Sequence, residues 1–300
     1  MTRRAMWLLA GAVGLVLIVG AGLWIWQSTS RPASTEDTAL AYLHALESGD
    51  AEALTAVSAT VPKTALTAFT AADERIQEGA LTSVARSGET ATAEVSFVLA
   101  GEQRTASLSL SRTDGRWSVD ASALGTVRAG ASAGGFVAIG DTTFAIGEEI
   151  SLFPAVYTIR AAPRDLIEGE ADAIVLPGDS VEFALDVTLL PAATEAAQTA
   201  LDEHLADCTE SGEIMPSGCG IRIPWGTEFL GVTDVRYRID SSPVLTLNPA
   251  GFDAANGVLI ATVTGTAQDG DTRTTTYRTE SWSLRGDVAF TETGVELSVW

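Results

Sequence analysis

Cysteine, histidine and lysine are scarce in this 300-residue chain, and each scarcity argues against a class of function. With only two cysteines and two histidines, His44 and His204, no recognised spacing completes a four-ligand zinc site. Lysine occurs once, at Lys63, and the formal net charge is −21, so nucleic acid and anionic lipid head groups lack the basic face that they need. We expect no metal and no nucleic-acid partner.

The motifs of common enzymes are also missing. The chain contains no G-x-S-x-G elbow, H-E-x-x-H helix, Walker loop or G-x-G-x-x-G turn. Residues 60–63 (TVPK) share the spacing of a serine-acylase S-x-x-K box, but a proline inside a box that must be helical argues against that function. We predict no catalytic residue and no cofactor, hence a protein without enzymatic activity.

Two acidic clusters are the remaining candidates for a metal site. One comprises Glu168, Glu170 and Asp172, and the other is the turn at 269–271 (DGD). A calcium loop offers ligands at regular alternate positions and closes with a bidentate glutamate, which neither cluster does. We interpret the clusters as a solvated loop and a hairpin turn.

What the sequence does contain is one long apolar run, residues 5–26, without a charged residue or a proline. As a helix the run would reach about 33 Å, against a bilayer hydrocarbon core of about 30 Å. Ten of its residues are Leu, Ile or Val. Together they favour insertion by about 3 to 6 kcal/mol. We predict a single transmembrane helix here.

The flanks of the run predict its orientation. Arg3 and Arg4 precede it, and the positive-inside rule keeps this short basic tail in the cytoplasm. Trp7 at one end, and Trp24 and Trp26 at the other, suit the two aromatic belts of a membrane. We therefore predict a single-pass protein of the cell membrane whose C-terminal bulk is extracellular.

A cleaved secretory signal is the alternative for the same run. The run is longer than the usual apolar region of about 7–15 residues, and no A-x-A cleavage site follows it. Both interpretations place the rest of the chain outside the cytoplasm. There, removing Arg3 and Arg4 from the 18 basic residues leaves 16 against 39 acidic ones.

The two cysteines, Cys208 and Cys219, are separated by only ten residues. In an oxidising exterior two such cysteines usually pair, and closing so short a loop would stabilise the fold by about 3 kcal/mol. Metal binding and redox exchange are the alternatives, but the chain has no C-x-x-C motif. We predict a structural disulfide.

Hydrophobic periodicity predicts helices first and strands afterwards. Ser34 begins a helix with the spacing of a capping box, and Gly49 ends it. From Ala80 the period changes to two, which predicts four antiparallel strands, the last of them carrying Trp117.

Two motifs in this region resemble the NTF2-like domains of bacterial, actinobacterial-like membrane proteins. Residues 41–50 (AYLHALESGD) are similar to the first helix of that group, which commonly ends in Gly-Asp, and residues 114–120 (DGRWSVD) to its last strand. The resemblance implies an α+β cone over residues 35–124. Some members are enzymes with an acid–base pair in the mouth of the cone. His44 is the nearest candidate here, although a polar position on an amphipathic helix also accounts for it.

Three further segments follow. Residues 125–135 (GTVRAGASAGG) are small and predict a flexible linker. Residues 136–190 are rich in strand-forming residues and resemble the small β-domains of PEGA type, with Ala155 in place of the glycine of that signature. Residues 191–300 combine a helix, the two cysteines and alternating strands, which predicts a second α+β unit.

The predicted fold class is α+β. Its parts in order are a cytoplasmic tail, a transmembrane helix, a stalk, an NTF2-like domain, a linker, a small β-domain and a C-terminal α+β domain with the disulfide, at 1–4, 5–26, 27–34, 35–124, 125–135, 136–190 and 191–300. The predicted function is that of a membrane-anchored extracytoplasmic binding protein with a protein or cell-envelope partner. A ligand-binding or enzymatic NTF2-like cone, and a spacer presenting the C-terminal unit, are the alternatives.

Export can be tested on intact cells. Protease added from outside is expected to digest the chain beyond the apolar run, and a thiol-reactive label is expected to leave Cys208 and Cys219 unmodified until a reductant is added. Digestion and labelling are read by mass spectrometry. A chain spared by the protease, or two cysteines that react without reductant, would contradict the predicted location.

Overall fold

The computed structural model describes residues 33–210, 218–221, 228–248 and 251–300. Of these, 56% lie in strands and 21% in helices, so the predicted α+β class is wrong and the fold is mostly β. Within the described residues, no helix is both long and apolar enough to cross a bilayer. The predicted transmembrane helix at 5–26 lies outside the described residues, as do its flanking side chains, Arg3, Arg4, Trp7, Trp24 and Trp26.

The described residues form four helices and nineteen strands. The helices are α1 (Thr35–Ser48), α2 (Ala51–Val57), α3 (Lys63–Thr70) and α4 (Pro191–Glu210), with a short 3-10 turn at Ala121–Ala123. The strands are β1 (Glu74–Arg75), β2 (Gln77–Ser87), β3 (Thr90–Leu99), β4 (Glu102–Thr113), β5 (Arg116–Val119), β6 (Gly125–Ala131), β7 (Phe136–Ile139), β8 (Thr142–Ala145), β9 (Glu149–Leu152), β10 (Ala155–Ala162), β11 (Ile167–Glu168), β12 (Glu170–Val175), β13 (Ser180–Leu185), β14 (Thr188–Leu189), β15 (Phe229–Ser241), β16 (Val244–Asn248), β17 (Gly251–Ala267), β18 (Thr272–Phe290) and β19 (Val295–Val299).

The chain divides into two compact units, and the described part of the first comprises residues 33–62 and 75–124. Its helix α1 has the predicted ends. Ser34 and Asp37 form a reciprocal capping box, and Gly49 closes the helix in the left-handed conformation. The caps satisfy backbone groups that the helix itself leaves unpaired.

The sheet of the first unit is the predicted antiparallel meander, with strand order β2-β3-β4-β5. Along β3, buried and solvent-facing residues alternate, because successive side chains of a strand point to opposite faces. The buried side chains of helix α1 and of strands β3 to β5 form its core: Ala39, Tyr42, Leu43, Leu46, Ala93, Val95, Phe97, Leu99, Leu108, Leu110, Trp117 and Val119.

Residues 63–74 differ from the predicted domain boundary, since they belong to the second unit with residues 125–300. In that unit the ring of Phe69 packs against Phe153, with 5.3 Å between their centroids. Asp73 accepts a hydrogen bond from the Thr158 amide at 2.6 Å and its own amide donates to the Val156 carbonyl. Phe69 of α3 and the nearby Asp73 therefore contact a segment that lies much later in the sequence.

The segment 125–135 also differs from its predicted role as a linker. Residues Gly125–Ala131 form β6, the central strand of a three-stranded sheet, parallel to β13 and antiparallel to β9. A Cβ on Gly125 would lie 2.5 Å from the Leu176 carbonyl oxygen and 2.6 Å from Val175 Cγ1. The glycine at 125 thus permits close packing. The composition of residues 125–135 alone predicts flexibility.

A second sheet of this unit is built around β10. Strands β8, β7, β10 and β12 pair in that order, all antiparallel, and β11 pairs separately with β14. Strand β10 is paired on both sides, and Tyr157 is buried in it with its hydroxyl donating to the Phe153 carbonyl at 2.8 Å. This bonding fixes the backbone from which Arg160 projects.

The C-terminal part of the second unit is a long antiparallel sheet, ordered β15-β17-β18-β19, with β16 also on β17. Helix α4 supplies the apolar stripe that the sequence predicts, since Ala197, Leu201 and Leu205 are buried. It contributes to one core with residues of the sheet: Val235, Tyr237, Leu245, Phe252, Leu259, Ala261, Val263, Trp282 and Leu284. Gln198 ties helix to sheet by accepting from the Leu245 amide at 2.8 Å.

The glycines of β6 provide a test of its role. Gly125→Ala is expected to destabilise the protein by about 1 to 3 kcal/mol, because the added methyl group overlaps a carbonyl oxygen. Gly130→Ala in the same strand meets nothing closer than 3.6 Å, and is expected to change stability by less than about 0.5 kcal/mol. Urea denaturation measures both variants. Two neutral substitutions would indicate that the strand is not packed as described.

Candidate functional site

A polar cleft of about 450 Å³ lies in the second unit, among β10, β11, β12 and β14 and the loops that join them. Its wall carries Arg160, Arg164, Glu168, Glu170 and Asp186, together with smaller and apolar groups from Ala161, Ile167, Gly169, Thr188 and Leu190. Charges of both signs therefore face one concave surface.

Strand pairing holds the cleft residues in place. Arg160 on β10 lies directly opposite Glu170 on β12, and its Nε is 3.0 Å from Glu170 Oε2. Glu168 lies opposite Thr188 in the β11–β14 pair. The Ala161 amide donates to the Gly169 carbonyl at 2.8 Å.

Gly169 lets two segments approach at the base of these strands. A Cβ at position 169 would lie 2.7 Å from the Asp186 carbonyl oxygen. Only a residue without a side chain fits at this distance, so the backbone that carries Asp186 can lie beside the one that carries Glu168 and Glu170. The cleft is consequently formed by backbone that strand pairing and close contact fix on several sides.

The charges of the cleft are only partly neutralised. Arg160 and Glu170 form an ion pair. Arg164 donates to the Gly140 carbonyl, which uses one of the five donors of its guanidinium. Neither Glu168 nor Asp186 forms an ion pair with another described residue. A ligand that offers an anionic group to Arg164 and a cationic group to these carboxylates would complement the cleft.

The interpretation of Glu168, Glu170 and Asp172 as a solvated loop is wrong, because these residues lie in strands β11 and β12. Glu168 and Glu170 line the cleft, while Asp172 accepts a hydrogen bond from the Thr158 hydroxyl at 2.9 Å. Asp269 pairs with Arg273 at 2.9 Å in the hairpin turn between β17 and β18, as the turn interpretation predicts. Sequence spacing did not indicate the cleft because Arg160, Arg164 and Asp186 come from separate segments.

The predicted disulfide between Cys208 and Cys219 is present. Cys208 lies near the end of α4, and the two Cα atoms are 5.9 Å apart. Both cysteines are buried and belong to the core formed by α4 and the C-terminal sheet. The crosslink therefore fastens the end of the helix to the segment that follows it.

His204 lies beside this disulfide. Its Nε2 is 2.9 Å from the Gly218 carbonyl oxygen and 3.7 Å from Cys208 Sγ. Among the described residues, His204, Cys208 and Cys219 are the one group of three or more potential metal ligands whose ligand atoms cluster, all within 4.8 Å of one another. The spacing of four residues between His204 and Cys208 on one helix was the available signal, because residues i and i+4 share a helix face.

The first unit places the residues that the resemblance singles out in contrasting surroundings. His44 is largely exposed, and its Nδ1 is 3.7 Å from Glu47 one turn later. The helix-facing side of the sheet is occupied by buried apolar side chains, among them Phe97, Leu110 and Trp117. Burial raises the pKa of Tyr42 well above its ordinary value, so this hydroxyl stays protonated at neutral pH.

The C-terminal sheet presents a polar face on the side opposite α4. Threonines on β17 and β18 pair directly across the strands, and the hydroxyl oxygens of Thr264 and Thr274 are 2.9 Å apart. Arg278 donates to Asp240 at 2.7 Å, and this hydrogen bond lowers the pKa of that carboxyl. Arg278 also pairs with Glu280, so the charges on this face largely compensate one another.

Comparison with protein-family models, with curated proteins and with solved structures finds no match for this chain.

Removal of the disulfide is expected to lower the free energy of unfolding of the second unit by about 3 kcal/mol, the chain-entropy value for so short a loop. The variant is Cys208→Ser/Cys219→Ser, compared with the oxidised and the reduced wild-type protein in urea. Because the crosslink lies within the second unit, the unfolding of the first unit should not shift. Equal midpoints for the oxidised protein and the variant would contradict a stabilising role.

Proposed function

We propose that this protein is an exported, non-catalytic binding protein, held at the outer face of the cell membrane by its apolar N-terminal run. Its ligand site is the polar cleft of the second unit, and its ligand carries an anionic and a cationic group, as a short peptide with free ends does. The observation that carries the proposal is the coexistence of Arg164 with Glu168 and Asp186 on one concave wall.

The cleft residues suit recognition better than acid–base chemistry. Arg160 is committed to Glu170 by an ion pair between neighbouring strands, which supports the wall of the cleft. Arg164 remains as a planar donor for a carboxylate, and Glu168 and Asp186 as acceptors for an ammonium group. Strand pairing fixes the backbone that carries Arg160, Glu168 and Glu170, which lowers the entropic cost of ordering the site on binding.

The disulfide supports an extracytoplasmic location. Disulfides persist in oxidising compartments and are rare in the cytosol, and the two cysteines of this chain are bonded to each other. The run at 5–26 and the basic pair Arg3 and Arg4 supply the membrane attachment and its orientation in this proposal.

The two alternative functions receive less support. A ligand-binding or enzymatic cone requires polar groups converging on an open cavity, whereas many side chains on the inner side of the first unit are buried and apolar, among them Phe97, Leu110 and Trp117. A spacer role for residues 35–124 predicts that their removal lowers the remaining part of the chain towards the membrane. The spacer role does not involve the cleft of the second unit.

The proposal is tested by titrating the full-length protein in detergent micelles with the tripeptide Ala-Ala-Ala, free at both ends, by isothermal calorimetry. We expect amidation of its C-terminus to weaken binding about tenfold, the effect of losing one charge-assisted hydrogen bond. Acetylation of its N-terminus should do the same. Mass spectrometry after the titration should recover the peptide intact.

Matched variants locate the binding site. Arg164→Gln should remove the preference for the free carboxylate, and Asp186→Asn with Glu168→Gln the preference for the free amine. Glu182→Gln is the control, because Glu182 is also an exposed carboxylate near an arginine, Arg128 at 3.6 Å, but is not part of the cleft. Three results would contradict the proposal. They are equal affinity for the free and the capped peptides, unchanged preferences in the cleft variants, and hydrolysis of the peptide.

A further inference from the structure

We propose that His204, Cys208 and Cys219 form a zinc-type metal site when the disulfide is reduced. The group combines one imidazole with two sulfurs, whose ligand atoms already lie within 4.8 Å of one another. Both cysteines are buried in one core, and Cys208 is held in helix α4. The disulfide and a bound metal ion thus exclude each other, because both use the sulfurs of Cys208 and Cys219.

The distances fit the geometry of zinc. Tetrahedral Zn²⁺ with Zn–S of about 2.3 Å and Zn–N of about 2.0–2.1 Å places the nitrogen and a sulfur about 3.6 Å apart, and two sulfurs about 3.8 Å apart. His204 Nε2 and Cys208 Sγ are 3.7 Å apart. Once the sulfur–sulfur bond is broken, the Cys219 sulfur has to move away from its partner, and His204 Nε2 has to leave the Gly218 carbonyl oxygen, now 2.9 Å away.

The reaction needs a named reductant. A dithiol reductant transfers two electrons and two protons to the Cys208–Cys219 disulfide, which yields two thiols here and a disulfide in the reductant. Zn²⁺ then replaces the two thiol protons, which pass to solvent. In the same step the neutral imidazole of His204 changes tautomer: solvent takes the proton from Nε2 and returns one to Nδ1, so the hydrogen bond to Gly218 is exchanged for the metal bond.

The described residues contribute three ligands to this cluster, and in the proposed site a water molecule takes the fourth position. Three protein ligands and a water are the arrangement of exchangeable and catalytic zinc sites, whereas purely structural sites use four protein ligands. The reduced chain would therefore bind zinc, whereas the oxidised chain, which the proposed extracytoplasmic location favours, would not.

The simpler role of His204 is that of a hydrogen-bond donor to Gly218, which would steady the chain next to Cys219. If this is its only role, replacing His204 should disturb the chain next to Cys219 but leave the metal affinity unchanged. Two variants separate the roles: His204→Gln retains a side-chain donor, while His204→Ala removes it. The second histidine, exposed His44 of the first unit, provides a matched control in His44→Ala.

The test uses the full-length protein, reduced anaerobically with a dithiol that is then removed by gel filtration, and titrated with Co²⁺ as a spectroscopic probe before displacement by Zn²⁺. The reduced wild-type protein and His44→Ala should bind one equivalent, with a thiolate-to-cobalt charge-transfer band and the visible bands of tetrahedral cobalt. The oxidised protein should show neither. His204→Ala and His204→Gln should both weaken binding at least about tenfold.

Three results would overturn the proposal. They are the absence of cobalt bands in the reduced wild-type protein, a wild-type affinity in His204→Ala, or recovery of binding in His204→Gln. Circular dichroism recorded on the same samples identifies unfolding of the reduced chain. An unfolded chain that binds metal through its two thiols alone would give equal affinities with and without His204, and so also count against the site.

Discussion

The pairing of β10 on both of its sides is the constraint on which the candidate site depends. One neighbour, β7, aligns Ala138 with Arg160, and the other, β12, aligns Glu170 with the same residue. A strand held in this way cannot slip by one residue without turning its buried side chains outward. Because Tyr157 and Ile159 are buried in β10, register and burial together fix the direction in which Arg160 faces, and with it one wall of the cleft.

The sequence predicts local structure well where apolar residues repeat with a clear period. The ends of α1, the meander of β2 to β5, the buried stripe of α4 and the disulfide all follow from short-range patterns. Strand β18 could not be predicted in this way, because no apolar residues alternate in its first half. One face there carries exposed threonines and the other face only half-buried residues. Long strands such as this one account for the mostly β fold.

What the sequence could not predict is long-range. The packing of Phe69 on Phe153 and the burial of β6 depend on contacts between segments far apart in the chain. The same holds for the cleft. Arg164 and Asp186 line one surface only after β10 has paired with β12 and β11 has paired with β14. His204 is the intermediate case, because its relation to Cys208 is local but its relation to Cys219 requires the disulfide.

The central claim, that the cleft binds a ligand through its exposed charges, is tested most directly by nuclear magnetic resonance of the arginine side chains. Addition of Ala-Ala-Ala with free ends should shift the Nε–Hε signals of Arg164 and Arg160, whereas the signal of Arg128, outside the cleft, should stay unchanged. Unshifted signals for Arg160 and Arg164 at saturating peptide, or equal shifts for all arginines, would contradict the account.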